Sequence, residues 1–292
     1  MPKEKIIIIG GGVGPMAGVE LHKRIIENTA ADGTDQTHFE VYHFSRSCDI
    51  PDRTEFLLGK SKVNPAEGML RTMQIAQKSI ESTGKQAVFG IPCNTFHAPK
   101  IFDRFLELIA ENKINIQVLH MLNETADFIK QNMPDAKRVG LMSTTGTRAV
   151  GVYHKILKPY GFEIAEIPEN MQAELHDSIY NTKWGIKALA PVTQKARNNF
   201  EKYANILVKG GAEAIILGCT EIPLALPEKM FEGIPLIDPM AALARALVRE
   251  ANGKKLNSNS KMDTRLLKIL EKEVEYEKAK KKKKPIMAEV NN

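Results

Sequence analysis

The chain of 292 residues is 43% apolar, which excludes a fully disordered protein and leaves room for one large or two medium α/β domains. No apolar run approaches the roughly 18 residues that a membrane span requires, and residues 1–5 lack the apolar core of a secretion signal, so we expect a cytoplasmic protein. The formal charge of +6 comes from residues 254–292, where 12 Lys and Arg face 6 Asp and Glu, and this location argues against a nucleic-acid-binding fold.

The N-terminal segment has the pattern of a strand, a glycine-rich turn and a helix. Residues 5–9 are a β-branched run that ends in the glycines of residues 10–14, and residues 16–28 follow with helical periodicity. The next predicted strand covers residues 39–44. The polar residues 45–54 after it are predicted to form a loop, because Pro51 argues against regular structure.

Strand and helix patterns then alternate to the end of the first half. The predicted elements are helix 65–82, strand 87–91, helix 99–111, strand 114–119 and helix 123–132. Cys93 lies where the strand of residues 87–91 ends. The alternation predicts a mostly parallel sheet that helices cover on both faces, in an α/β fold.

The same pattern starts again in the second half. The predicted elements are strand 138–142, a polar turn at 143–147, helix 149–159, strand 163–167, helices up to 179 and over 191–209, and strand 214–217. We therefore predict a first α/β domain of residues 1–122, completed by a returning segment near 238–252, and a second of residues 123–237. Residues 253–292 form a charged, Lys-rich extension whose partner the sequence does not indicate.

Two of the three cysteines occupy matching places. Residues 84–90 precede Cys93 much as residues 211–217 precede Cys219, which is a weak internal repeat with one thiol in each copy. A thiol between a strand end and a helix start lies near backbone N–H groups that favour the thiolate, so each could act as a base. Either cysteine alone could equally be a small buried core residue. Cys48 has no counterpart and is interpreted as incidental.

Six short motifs carry a resemblance to a known family. They occupy residues 11–17, 50–54, 92–95, 145–147, 183–185 and 218–221. In content and order they resemble the aspartate/glutamate racemase superfamily, and within it the aspartate racemase branch. The similarity extends over about residues 5–245 and leaves out the C-terminal extension.

The resemblance implies two pseudo-symmetric α/β domains with the active site in the cleft between them. It also implies an isomerase that interconverts L- and D-aspartate without pyridoxal phosphate, metal or other cofactor. Cys93 and Cys219 would face opposite sides of the substrate's α-carbon, where one removes the proton and the other returns it. Such a pair makes chemical sense, because inverting a stereocentre through a planar carbanion needs a base on one face and an acid on the other.

The resemblance also implies residues that bind a small acidic amino acid. Arg53 would contact the distal carboxylate as a planar clamp, and Lys183 would be a second cationic contact. The remaining positions expected to bind substrate come from the other motifs: Gly12, Met16, Asn94, Thr95, Thr145, Gly146, Thr147 and Thr220. His97 is assigned no catalytic role, and the role of Glu221 stays open.

Alternative functions stay open at this point. A glutamate or broad-specificity amino-acid racemase would use the same motifs. Gly12, Gly14 and Ala17 fit the spacing of a dinucleotide-binding turn in an NAD(P)-dependent oxidoreductase, although Pro15 removes a backbone N–H there. A non-catalytic amino-acid-binding module is the third reading. Relatives are commonly dimers, so we expect a homodimer, and we expect no requirement for nucleic acid.

Overall fold

The computed structural model describes residues 4–257, which fold around two β-sheets. The strands of that part are β1 (Ile6–Gly11), β2 (Val41–Ser45), β3 (Ala87–Gly90), β4 (Gln117–Val118), β5 (Arg138–Ser143), β6 (Glu163–Glu166), β7 (Ala214–Gly218), β8 (Met230–Phe231) and β9 (Ile234–Ile237). The predicted charged extension falls almost wholly on residues 258–292, outside the described residues.

Eleven α-helices connect and cover these strands within residues 4–257. They are α1 (Pro15–Glu27), α2 (Arg53–Leu57), α3 (Pro65–Glu81), α4 (Pro99–Glu111), α5 (Met121–Asn132), α6 (Thr145–Val150), α7 (Val152–Leu157), α8 (Gln172–Tyr180), α9 (Gln194–Lys209), α10 (Ile222–Ala225) and α11 (Pro239–Asn252). No helix in this part of the chain is long and apolar enough to cross a membrane.

The two sheets repeat one strand order. The first runs β2-β1-β3-β4 with parallel neighbours, and the second runs β6-β5-β7-β9, with β8 added antiparallel to β9. β3 and β7 hold the same place in the two sheets, so the sequence repeat around the cysteines is also a structural repeat. This confirms the predicted fold class of mostly parallel sheets flanked by helices.

The central strands of each sheet are buried on both faces. Along β1, Ile7 and Ile9 pack in a core with Val139 and Ile216 of the second sheet, and helices α5 and α11 contribute to this core. Side chains alternate along a strand, so Ile6 and Ile8 face the other side, into a core with α3 and α4. Helix α11 packs on α1, α5 and β3.

Several predicted elements differ from the structure in length or type. The strand expected over residues 114–119 is only β4, which pairs with one neighbour, β3. The loop expected over residues 45–54 gives way to α2 at Arg53, because the Asp52 side chain caps that helix by accepting from Glu55 N at 2.9 Å. The expected polar turn at 143–147 contains the start of α6, which Thr144 caps through Thr147 N.

Helix α3 contacts the segment that leads to α2 at a glycine. A Cβ atom at Gly68 would lie 2.1 Å from the backbone oxygen of Asp49. We therefore expect Gly68→Ala to lower the free energy of unfolding by roughly 1–3 kcal/mol, although alanine normally favours a helix interior. Urea denaturation measures this change.

Gly253→Ala is the matched control, because a Cβ there meets no atom within 4 Å and the backbone φ is −57°. Equal stability of the two variants would contradict the steric argument.

Candidate active site

A small cavity, here called the inner cavity, lies where the strand ends of both sheets meet. Residues that follow β1, β3, β5 and β7 line it: Val13, Cys93, Asn94, Thr95, Thr144, Cys219, Thr220 and Glu221. Arg53, Tyr180 and Lys187 complete the lining. In the first sheet, β2 is added on one side of β1 and β3 on the other, and in the second sheet β6 and β7 flank β5 in the same way. Ligands of open α/β sheets bind at such a point, where the order of the strands reverses.

The inner cavity brings the two matched thiols together. Cys93 is 6% exposed and Cys219 is 7% exposed, and both line its wall. The cavity volume is about 10 Å³, room for roughly one water molecule. A bound amino acid therefore requires the walls to move apart.

Cys219 lies against a carboxylate. Its Sγ donates to Glu221 Oε2 at 3.1 Å, and Thr220 Oγ1 donates to the same oxygen at 2.9 Å. Burial raises the pKa of the Cys219 thiol well above its usual value, Glu221 raises it further, and Lys187 partly opposes both effects. In the closed site Cys219 is therefore a protonated thiol at neutral pH.

Arg53 lies beside the other thiol. Its NH2 donates to the backbone oxygen of Val13 and its NH1 to that of Pro51, both at 3.2 Å, and its Nε is buried without a partner. Burial lowers the pKa of Arg53, but Cys93, Tyr180 and Asp52 raise it more, and the guanidinium stays charged. The structure thus places Arg53 in the lining of the inner cavity, close enough to Cys93 to interact with it electrostatically.

The second cation of the site is Lys187 and not Lys183. Lys183 is exposed, and its backbone N donates to Asn181 Oδ1 at 3.0 Å. Lys187 lines the inner cavity, forms an ion pair with Glu221, and lies 5.4 Å from the ring centroid of Tyr180. The motif of residues 183–185 therefore lies in the segment that contributes a lysine to the cavity, but the lysine in the lining is Lys187, where the sequence predicted Lys183.

Hydroxyl groups join the two halves of the site. Thr95 Oγ1 lies 2.9 Å from Thr147 Oγ1 and 3.3 Å from Thr144 Oγ1. Asn94 Oδ1 accepts from the fully buried Tyr153 hydroxyl at 2.5 Å, whereas its Nδ2 is buried without a partner. Asn94 thus presents a free donor in the lining, as a carboxylate-binding residue requires.

Five other predicted positions are not part of the inner cavity's lining. Thr145 lines a neighbouring cavity, and its N donates to His176 Nδ1 at 3.4 Å. Gly146 packs closely on Thr54 of α2. Met16 is 48% exposed on α1, and Gly12 lies in the turn before it. Thr147 contacts the lining only through Thr95 and Thr144.

The glycine-rich turn has a packing explanation. Gly12 has a φ of +87°, and a Cβ there would lie 2.6 Å from Arg46 N. A Cβ at Gly14 would lie 2.3 Å from Glu221 Oε1. Gly12 lets the turn approach Arg46, which follows β2, and Gly14 lets it approach the Glu221 carboxylate. The spacing of these glycines is therefore explained without a bound dinucleotide.

Two residues that were given no catalytic role do not line the inner cavity. His97 Nδ1 bonds to the backbone oxygen of Cys93 at 2.8 Å, and its ring stacks on Phe102. Burial, with His120 adding to it, lowers the pKa of His97 to about 3, so the ring is neutral. Cys48 is exposed. No group of His, Cys, Asp and Glu within residues 4–257 is arranged to hold a metal ion.

A larger opening, here called the outer cavity, adjoins the site. Its volume is about 400 Å³, and Asp52, Thr54, Lys60 and His176 are among its lining residues. Tyr180 lines both cavities and stacks on His176 with ring centroids 4.7 Å apart. Tyr180, Thr144 and Val13 were not predicted from the sequence. Only their places marked them: Val13 and Thr144 follow β1 and β5, and Tyr180 is the last residue of α8.

Comparison with known proteins agrees with this geometry. The family model for Asp/Glu/Hydantoin racemase matches residues 11–247. The solved structure of Picrophilus torridus aspartate racemase is 29% identical with a TM-score of 0.69, over 89% of this chain and 99% of that one. The broad specificity amino-acid racemase RacX of Bacillus subtilis is 23% identical over 83% of this chain and 96% of its own.

A further relative matches over part of its length. The glutamate racemase of Carboxydothermus hydrogenoformans is 28% identical over 130 residues, so the match spans 46% of that protein and 44% of this one. The family model, by contrast, spans most of the chain, including both cysteine motifs. The chain therefore belongs to the Asp/Glu/hydantoin racemase family, whose members named here are isomerases.

Proposed function

We propose that this protein is a cofactor-independent aspartate racemase of the cytoplasm that uses Cys93 and Cys219 as its two proton-transfer groups. The observation that carries the proposal is the placement of both thiols in the wall of one cavity, each after the equivalent strand of its sheet. Two groups that approach from related halves can act on opposite faces of one carbon atom.

The reaction needs one proton to leave and one to arrive. A thiolate removes the α-proton, the electron pair left on the α-carbon delocalises into the α-carboxylate, and the opposing thiol donates its proton to the other face. Charge then develops on the carboxylate oxygens, where donors that are already in place lower the barrier most. The unpartnered Asn94 Nδ2 and the hydroxyls of Thr95 and Thr220 are the donors proposed for this task.

The charges of the lining support an acidic substrate. Arg53 and Lys187 bring two cations into a cavity whose lining contains one carboxylate, Glu221. A dicarboxylate fits this balance better than a neutral amino acid does. A broad-specificity racemase is the second candidate. It is supported by the likeness to RacX and by the ion pair of Lys187 with Glu221, which leaves Lys187 less able to bind a substrate carboxylate.

The first test is exchange of the α-proton in D₂O without added cofactor, on L- and D-aspartate, glutamate and alanine. We expect deuterium to enter aspartate together with inversion, at least about 10-fold faster than alanine, since one charge-assisted contact contributes 1.5–3 kcal/mol. Similar rates on all three would favour the broad-specificity enzyme. Absence of exchange on every substrate would overturn the racemase proposal.

The organisation of the chain adds two proposals. We propose a first domain of residues 1–122 completed by residues 238–252, and a second of residues 123–237, which would move apart to admit substrate. We also propose a homodimer, which light scattering on the full chain tests directly.

A further inference from the structure

The carboxylate of Glu221 is shared between a thiol and an ammonium group. Oε2 accepts from Cys219 Sγ at 3.1 Å and from Thr220 Oγ1 at 2.9 Å, while Oε1 pairs with Lys187 Nζ. Glu221 is 3% exposed and Cys219 is 7% exposed. Because water has little access to this chain of contacts, its charges are screened less than they would be at the protein surface.

The two thiols of the site face opposite charges. Cys93 has the Arg53 guanidinium beside it, and the two groups attract each other electrostatically. Cys219 has the Glu221 carboxylate beside it, and Lys187 lies on the far oxygen of that carboxylate. The repeat that places the thiols equivalently therefore does not make their surroundings equivalent.

The other titratable groups that face Cys219 are neutral. Burial raises the pKa of the Tyr153 phenol well above its usual value, and burial also raises that of Tyr180. Burial alone would raise the pKa of Glu221, but Lys187 and the hydrogen bonds from Cys219 and Thr220 hold it below its usual value. Within the described lining, the charges that act on Cys219 are those of Glu221 and Lys187, with Arg53 across the cavity at Cys93.

Building on the proposed two-thiol racemisation, we propose that Glu221 and Lys187 form a positioning pair with opposing effects on Cys219: Glu221 keeps the thiol protonated in the substrate-free enzyme, and Lys187 limits that effect. Cys219 is then the proton donor and Cys93 the base when substrate first binds. After one turnover the proton resides on Cys93 Sγ, and Cys219 is a thiolate beside the anionic Glu221. That state is the less stable of the two. Before the same enantiomer is used again, Cys93 must lose its proton to water and Cys219 must gain one from water.

The test measures the pH dependence of iodoacetamide labelling at Cys219, read on its own peptide by mass spectrometry. Alkylation requires the thiolate, so the midpoint of the profile reports ionisation of Cys219 whatever its accessibility. We expect Glu221→Gln to lower this midpoint by about one pH unit or more, which at fixed pH below the midpoint is a rate increase of about 10-fold. We expect Lys187→Met to raise it.

The double variant Glu221→Gln/Lys187→Met is the matched control, with an expected midpoint between those of the single variants. Circular dichroism at each pH checks that all three remain folded. Shifts in the same direction, or no shift in either variant, would overturn the proposal, because lost packing alone has no reason to move the midpoint in opposite directions. Labelling does not require catalysis, so failure of the pair and failure of the racemase proposal are separate results.

Discussion

Alanine at Cys93 or at Cys219 is expected to lower the rate of aspartate racemisation by at least about 10²-fold, and toward 10⁴-fold, the range that general acid–base groups contribute. Each thiol serves one face of the α-carbon, and the described lining contains no third thiol. Polarimetry or a coupled assay for D-aspartate measures the loss.

The loss should reflect chemistry and not folding. Each substitution removes one sulfur atom at the edge of an existing cavity, which we expect to cost about 1 kcal/mol, less than deletion of a large core side chain. Cys48→Ala is the matched control, because that thiol is exposed and lies outside the inner cavity. A single Cys93 or Cys219 variant that kept a tenth or more of the activity would contradict the two-thiol mechanism.

Most of the fold was predictable because its strands are buried on both faces. Residues 6–9 and 87–91 are apolar runs, as central parallel strands are, and their ends could be located from the polar residues that follow. β4 was predicted too long, because pairing with a single neighbour depends on hydrogen bonds that apolarity does not report. The start of α6 was missed because Thr145 and Thr147 have poor helix propensity, which the cap from Thr144 offsets.

The site residues that follow strand ends were predictable from the sequence, and those in irregular segments were not. Cys93 and Cys219 follow repeated strands, so their convergence could be inferred from the sequence repeat. Lys187 could not be distinguished from Lys183, because both lie in an irregular segment after α8. That segment folds back on the helix, with Lys187 N donating to the backbone oxygen of Ile179 at 3.1 Å, and this bond directs Lys187 inward.

The same limit applies to Glu221, which looked like an ordinary residue of a first helical turn. Its role depends on Lys187, which approaches from a different part of the chain, and on the glycine turn. Gly14 leaves the space that Glu221 Oε1 occupies, so a side chain there would displace the carboxylate. Contacts of this kind join distant segments, and no local pattern encodes them.

The second large effect is expected at Arg53. Arg53→Lys should lower kcat/KM for aspartate by about 10- to 100-fold, mainly through KM, because lysine keeps the charge and loses the planar pair of donors that binds a carboxylate. Lysine also keeps a cation beside Cys93, so kcat should fall less than it would in Arg53→Ala. Steady-state kinetics on aspartate and on alanine, measured together, separate the two roles.

Arg71→Lys is the matched control, since Arg71 is an exposed residue of α3 that pairs with Asp49 away from the inner cavity. Its kcat/KM should stay within a factor of about two of the unaltered protein, as expected for an exposed ion pair. An equal loss on aspartate and alanine in Arg53→Lys would mean that Arg53 acts through Cys93 alone. Recognition of the distal carboxylate would then rest on Lys187, the remaining cation of the described lining.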